Sequence, residues 1–313
     1  MKIKKPRFWD YKNPTVLAFL LWPLSTIFNL ASSINKKGKK KYTSIKTICF
    51  GNFYVGGTGK TSLSVKFKEI LDKNNIKSCF IKKHYNDQLD EQKLLEKYGK
   101  VFVSKNRDQA LQKAISENYE VAIFDDGLQD SSIDYDLTFV CFNNLNWIGN
   151  GFLIPAGPLR ENINNLRFYK HVFLNGNNED LTKIIEKIKD INKDINIYTS
   201  KYKIQNLDNF NKKEKYLVFS GIGNHQTFIN MLKNNNFNIV KDIEFPDHYN
   251  YKDNDLDKII FKSKELNANI LTTEKDYLRL NETYIKNIHF IKSELVIADE
   301  NKLIKILNNA TKN

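Results

Sequence analysis

Residues 47–73 read TICFGNFYVGGTGKTSLSVKFKEILDK. Thr47 and three apolar residues open the stretch, a glycine-rich turn follows, and beyond residue 62 apolar positions recur at helical spacing. That order predicts a buried strand over 47–50 and a helix over 62–73. Between them, Gly56, Gly57, Thr58, Gly59, Lys60 and Thr61 form a loop of the kind whose backbone N–H groups wrap phosphate at a helix N-terminus. Lys60 then neutralises the β and γ oxygens and the Thr61 hydroxyl ligates Mg²⁺, so ATP and Mg²⁺ are the expected cofactors. The strict pattern G-x-x-x-x-G-K-[ST] is not met, because Tyr54 stands where its first glycine belongs; Gly56 and Gly57 supply the tight turn instead.

A phosphate loop needs a carboxylate for its metal, and VAIFDDGLQD (121–130) offers one. Its apolar start places Asp125 and Asp126 at the carboxyl end of a buried strand, where an acid can hold Mg²⁺ directly or through water. Acids at strand ends also serve as plain turn formers. Beside a phosphate loop the metal role is the expectation.

The rhythm of apolar run, turn and amphipathic stretch repeats. Strands are expected at 78–83, 121–126 and 137–142 and a helix at 108–118, the signature of βα units and a parallel sheet covered on both faces. A polar section over 175–215 separates this block from a second one, with strands at 215–224, 238–245, 269–276 and 288–291. The expected fold class is α/β: two lobes with mostly parallel sheets, the N-terminal one P-loop NTPase-like. The boundaries are an N-terminal helix in 1–35, a P-loop lobe over 36–200 and a C-terminal α/β lobe over 201–313. The 313 residues, 41% of them hydrophobic with 21 Phe and 15 Tyr, suffice for such cores and exclude wholesale disorder. Cys49, Cys79 and Cys141 are odd in number and set in apolar runs, which suits reduced core residues.

The net charge of +13 is concentrated at one end: residues 1–41 hold ten basic residues and one acid, Asp10. A nucleic-acid-binding body, which spreads its basic residues over a folded face, is not indicated. Between the two basic clusters lies TVLAFLLWPLSTIFNL (15–30), free of charge and containing Pro23. As a helix it would rise about 24 Å, short of the roughly 30 Å hydrocarbon layer. A helix lying in the headgroup region, with each flanking lysine adding about 1 kcal/mol of attraction to an anionic leaflet, fits better. A secretory signal ending near Ala31–Ser33 and an ordinary core helix are the other readings of this segment.

Taken in order, GNFYVGGTGKT, DDGLQD, GNGFLIPAGPLRE (149–161), FSGIGNHQTF (219–228), FPDHYNY (245–251) and LTTEKDYLRL (271–280) resemble the tetraacyldisaccharide 4′-kinases, the lipid A 4′-kinases. The resemblance implies transfer of the ATP γ-phosphate to the 4′-hydroxyl of an acylated glucosamine disaccharide 1-phosphate, giving the 1,4′-bisphosphate precursor of lipid A. It implies a peripheral, monotopic enzyme on the cytoplasmic face of the bacterial inner membrane, docked on an anionic surface, with no nucleic acid and no obligate protein partner. Carried over residue by residue, Gly56 to Thr61 match the nucleotide loop, Asp125 and Asp126 the magnesium carboxylates, and Gln129, Arg160 and Glu161 substrate-side groups. Asp90 matches the catalytic Asp and His248 the histidine of FPDH that orients it; Lys275 of TEKD either contacts the site or forms a salt bridge at a helix entry. The chain departs from the family pattern at KKHYND (82–87), at DDGLQD with Leu128 and Asp130, at Ser62, and before Asp90, which lacks its preceding glycine. The rival reading is a membrane-recruited ATPase of the deviant Walker type, whose signature lysine would occupy the position of Val55. A non-catalytic nucleotide-regulated adaptor is a third, and would need neither Asp90 nor His248.

Overall fold

The run expected at 47–50 lies in β1, Lys46–Gly51, at the centre of an eight-stranded sheet. In the computed structural model, which describes residues 5–34, 39–84, 89–130, 132–177 and 180–311, the sheet also contains β2 (Ser78–Lys83), β3 (Val101–Ser104), β4 (Val121–Asp125), β5 (Leu137–Asn143), β6 (His171–Asn175), β7 (Asn196–Ile204) and β12 (Ser293–Ile297). The description leaves out the side chains of 28–34, 89, 90 and 308–311. The strand order is β12-β7-β6-β5-β1-β4-β2-β3, parallel throughout except for β12 against β7. Central strands such as β4 and β6 are buried at every position, as a sheet covered on both faces requires. A second sheet of four parallel strands, in the order β9-β8-β10-β11, is built from β8 (Lys215–Ser220), β9 (Asn238–Glu244), β10 (Asn269–Thr273) and β11 (Ile288–Ile291).

The helices are α1 (Val16–Ile34), α2 (Lys60–Lys73), α3 (Leu89–Glu96), α4 (Arg107–Ser116), α5 (Thr182–Ile191), α6 (His225–Asn234), α7 (Asp253–Leu266) and α8 (Glu300–Thr311), with shorter turns between them. Helix α2 lays Leu63, Phe67, Ile70 and Leu71 on the first sheet, where Phe139 meets the rings of Phe50, Phe67 and Phe173 at 5.1 to 5.4 Å. This aromatic layer fixes the start of α2 against the end of β1. Chemistry placed on that turn therefore rests on a packed core.

The layout differs from the expectation in two places. The polar section over 175–215 holds α5 and β7, and the boundary expected at 200 falls inside β7. The last strand and helix, expected in the second lobe, return to the first sheet: Leu295 and Ile297 of β12 and Leu303 and Leu307 of α8 are buried with Phe67 and Tyr198. Sparse apolar residues in these segments suffice because an edge strand buries one face only. The chain thus crosses between the sheets twice, and the crossings are tied together where the Gln205 N–H donates to the Lys292 carbonyl at 2.8 Å.

At the other end, α1 runs longer than the apolar stretch 15–30 and carries Pro23 inside it. It touches the body through a narrow seam of small residues. Ala18 and Ser25 are buried, the Ser25 hydroxyl donates to the Leu153 carbonyl at 2.8 Å, and Phe19 packs edge-on to Phe152. Val16, Leu17, Phe19, Leu20, Trp22, Leu24 and Ile27 are exposed, Leu20 at 72%. Among the described residues no helix is long and apolar enough to cross a membrane. Lys2, Lys4, Lys36 and Lys37 of the basic end lie outside the described residues. The three cysteines are free and buried.

His171 opens β6 inside this core, against Phe139 and Tyr198, with Nδ1 unpaired among the described residues. Burial, helped by Lys170 and Lys302, pushes its imidazole down from 6.5 to about 4. Between those values the unfolded chain binds a proton that the folded one does not, so this residue withdraws stability as the pH falls from about 6.5 toward 4. Urea midpoints measured at pH 7 and pH 5 are expected to fall less in His171→Gln than in the wild type; equal slopes would contradict the assignment.

Candidate active site

The phosphate loop is held from below by two buried asparagines. Asn52 donates from Nδ2 to the Tyr54 carbonyl at 2.6 Å and to Thr58 Oγ1 at 3.1 Å, and Asn175 donates to the Thr58 carbonyl at 2.6 Å. Gly56 at φ +123° and Gly59 at φ +81° make turns that side chains resist, and Gly59 caps α2 so that its first N–H groups face the loop. From outside, the second lobe closes on the loop. A Cβ on Gly223 would stand 2.1 Å from the Gly57 nitrogen, and one on Gly57 would meet the Asn224 nitrogen at 3.0 Å. The two backbones touch here, and only glycines permit it. Asn143 at the end of β5 also donates to Thr227 Oγ1 of α6 at 2.9 Å.

Tyr54 sits where a strict phosphate loop has glycine because it receives the N-terminal arm. Lys5 Nζ donates to Asp10 Oδ1 at 2.8 Å and to the Tyr54 hydroxyl at 2.9 Å, and that hydroxyl donates to Asp10 in turn. Trp9 Nε1 donates to the Pro155 carbonyl at 3.1 Å. The PAGPLRE segment runs alongside: Val55 N–H donates to the Pro158 carbonyl, and Arg160 N–H to the Phe53 carbonyl. The apolar helix α1 is thus continuous, through Arg7–Asp10, with the strand-to-loop turn that carries the glycines.

Asp125 ends β4, 1% exposed, with its Oδ2 3.3 Å from the Thr61 hydroxyl. Asp126 follows at φ +58°, a left-handed turn that Asp tolerates better than most residues. Burial works against its charge, but Lys60 at 3.6 Å and Arg160 at 3.4 Å hold the carboxyl below the usual carboxylate range. Arg160 also donates to Gln129 Oε1 at 3.2 Å, and Gln129 donates to Glu161 Oε1 at 3.3 Å. Gln129 and Glu161 therefore stand behind Arg160, which faces the cleft.

Two elements from farther along the chain complete the wall. His248 follows β9 in a turn at φ +54°, its N–H donating to the Gly221 carbonyl at 3.0 Å and its Nε2 3.7 Å from Glu91 Oε1. A ring held in the left-handed region, where most side chains are disfavoured, is strain of the kind kept at working positions. Glu91 on α3 also accepts from Lys275 at 2.9 Å and from Lys82 at 2.8 Å. Burial opposes its charge, yet Lys275 and Lys82 keep the carboxyl well below the usual range. Burial likewise opposes the Lys82 ammonium; Asp125 and Glu91 outweigh it and hold the group above the usual lysine range.

All of this faces one cleft of about 740 Å³, lined by Gly56 to Thr61, Asp126, Arg160, Glu91, His248 and Lys275. Asp125 lies beneath it, beside Thr61. Asp90 falls in the first turn of α3, but its side chain lies outside the described residues, as do residues 85–87 of KKHYND. A hydroxyl and two carboxylates at the foot of a phosphate loop are hard oxygen donors, the set that Mg²⁺ takes together with water and phosphate oxygens. Sequence reasoning gave no role to Gly223, Asn52, Asn175 or Lys82. Gly223 lies within FSGIGNHQTF and Asn52 within GNFYVGGTGKT, and Lys82 is one of two lysines that end the strand SCFIKK; Asn175 carries no local signal in a chain so rich in Asn.

A family model described as tetraacyldisaccharide-1-P 4′-kinase matches residues 17–312. The tetraacyldisaccharide 4′-kinase of Pelagibacter ubique is 60% identical over 310 residues, covering 98% of this chain and 99% of that protein. The protein of the same name from Rickettsia canadensis is 35% identical over 323 residues, covering 97% and 96%. The crystal structure of the "apo" form of LpxK from Aquifex aeolicus in complex with ATP superposes with a TM-score of 0.67 over 95% of this chain and 100% of that one; at 22% identity it shows a shared fold.

The contact between Gly57 and Gly223 yields a direct test. Gly223 lies outside the left-handed region, so alanine there is refused by contact with the loop and by nothing in its own backbone. Gly223→Ala is expected to push the lobe off the loop and weaken ATP binding by about tenfold, about 1.4 kcal/mol. Titration calorimetry reads the change; an unaltered affinity would mean that the lobe does not need to seat on the loop.

Proposed function

This chain belongs to the tetraacyldisaccharide 4′-kinase family, and from that premise we propose that it transfers the γ-phosphoryl group of Mg·ATP to the 4′-hydroxyl of tetraacyldisaccharide 1-phosphate. The observation that carries the reading is a single cleft in which phosphate loop, metal carboxylates and His248 meet.

The chemistry follows from the parts. Phosphoryl transfer passes through a loose transition state, so positioning and charge neutralisation do most of the work. The N–H groups from Gly56 to Thr61 hold the β and γ phosphates, and Lys60 leaves Asp126 for the phosphate oxygens. Thr61 and Asp125, with Asp126 beside them, would hold Mg²⁺, and the ion would supply positive charge beside the transferring phosphate. Arg160, already on Asp126, adds a cation on the acceptor side. The sugar hydroxyl must lose its proton late in the reaction, and we assign its acceptance to Asp90, oriented by His248. Gln129 and Glu161 keep Arg160 aimed.

The substrate's acyl chains stay in a bilayer, so the enzyme must sit on one. Support for this comes from α1, which among its described side chains buries only Ala18 and Ser25 and leaves seven large apolar ones exposed. Exposed apolar surface on that scale marks an interaction site. With the lysines on either flank, it suits the headgroup region of an anionic leaflet. We place the protein on the cytoplasmic face of the inner membrane, where ATP is available. The working units are the docking segment 1–35, the P-loop lobe over 36–200 with the returning β12 and α8, and the α/β lobe between them.

Incubation with labelled ATP, Mg²⁺ and detergent-dispersed disaccharide monophosphate is expected to give a doubly phosphorylated lipid; lipid-indifferent ATP hydrolysis would defeat the reading. In the same assay His248→Ala should lower kcat by about 10²-fold with little change in the KM for ATP. Replacing Leu20 and Leu24 together by Gln removes about 1.5 kcal/mol or more of burial per residue. Co-sedimentation with anionic vesicles should then drop at least about tenfold, since 1.4 kcal/mol is a factor of ten.

A further inference from the structure

Lys82 is a buried cation at the foot of this site to which the phosphate-loop chemistry gives no part. It sits one residue beyond the pair Ile81–Phe124 in the parallel register of β2 and β4, which brings it level with Asp125. Its side chain is 3% exposed, and its Nζ lies 2.7 Å from Asp125 Oδ2 and 2.8 Å from Glu91 Oε2. A lysine buried that far is tolerated only with charged partners. Here it has two, and they belong to different halves of the chemistry. Asp125 is the metal carboxylate next to Thr61; Glu91 reaches Lys275 and His248 from the second lobe with its other oxygen.

We propose that Lys82 is a positioning residue whose ammonium serves as a built-in cation between Asp125 and Glu91, locking the metal carboxylate to the His248 side of the cleft in the place a second divalent ion would otherwise take. The geometry makes this specific. Without the ammonium, two carboxylates that both reach within 3 Å of its nitrogen face one another across an empty pocket. Like charges so placed either separate or recruit a cation, and carboxylate oxygens suit Mg²⁺ and Mn²⁺. Separation would turn Glu91 away from His248 and Lys275, and with it the acceptor side from the metal side. An ammonium avoids this without depending on the metal concentration.

The inference rests on the Mg·ATP reading, but its decisive test does not require phosphoryl transfer. The full-length wild type, Lys82→Met and Lys82→Arg would be titrated with Mn²⁺ alone, without nucleotide, and free Mn²⁺ followed by EPR. Lys82→Met should gain one Mn²⁺ site at least about tenfold tighter than any in the wild type, and Lys82→Arg should lack it. In kinetics with Mg·ATP, Lys82→Met should lose about 10- to 100-fold in kcat with KM for ATP little changed, the size seen when a group supporting metal ligands is removed. Lys82→Arg should recover most of that loss. A folded Lys82→Met with no added Mn²⁺ site overturns the proposal, as does a loss of turnover that arginine does not rescue. Should Lys82→Met fail to fold, the double variant Lys82→Met/Glu91→Gln removes one facing carboxylate with the ammonium. It should fold, bind no extra Mn²⁺ and still turn over slowly, and wild-type turnover in it would equally overturn the proposal. A wild type that transfers no phosphate sinks the kinase reading alone, because the Mn²⁺ titration still decides the role of Lys82.

Discussion

Bare backbone is the constraint on which this molecule turns. A loop that offers N–H groups to phosphate cannot cover them with side chains, so other parts of the chain must hold it in shape. Here Asn52 and Asn175 fix its underside, and Gly223 rests on Gly57 from above with no atom to spare. The second lobe therefore forms part of the wall of the cleft around this loop. Its position is set by two adjacent crossings of the chain and by polar contacts such as Asn143 with Thr227.

Charge is organised around the same point. Asp125, Asp126 and Glu91 bring three carboxylates to one cleft, and Lys60, Arg160, Lys82 and Lys275 meet them at salt-bridge distances. Asp126 meets Lys60 and Arg160, Glu91 meets Lys275, and Lys82 bridges Asp125 to Glu91. Two groups in this cleft, Asp126 and His248, lie in the left-handed region without being glycine or asparagine. The surrounding packing holds them there, which is how a fold keeps a side chain aimed before substrate arrives.

The N-terminal arm joins an exposed apolar helix to the glycine-rich loop by a short path. Helix α1 leaves its apolar side chains uncovered, and a few residues before it Lys5, Trp9 and Asp10 bind Tyr54 and the PAGPLRE segment. Tyr54 replaces a glycine in the common phosphate-loop pattern because this loop has an extra neighbour to hold. What looked like a departure in sequence is a point of attachment in the fold.

Much of this could be read in the chain itself. Alternation of apolar run, glycine turn and amphipathic stretch determined the parallel sheets, and GGTGKT and VAIFDD determined the turn that opens α2 and the buried strand that ends at Asp125, because those signals act over a few residues. The uncharged stretch 15–30 likewise marked the helix α1. Tertiary structure alone decided the rest: that β12 and α8 return to the first sheet, that Gly223 closes on Gly57, and that Lys82 lies between Asp125 and Glu91. These pairs stand 43 residues apart for Lys82 and Asp125, and far more for the two glycines. No local pattern records such distances, since each partner is chosen by packing and by the need to match a buried charge.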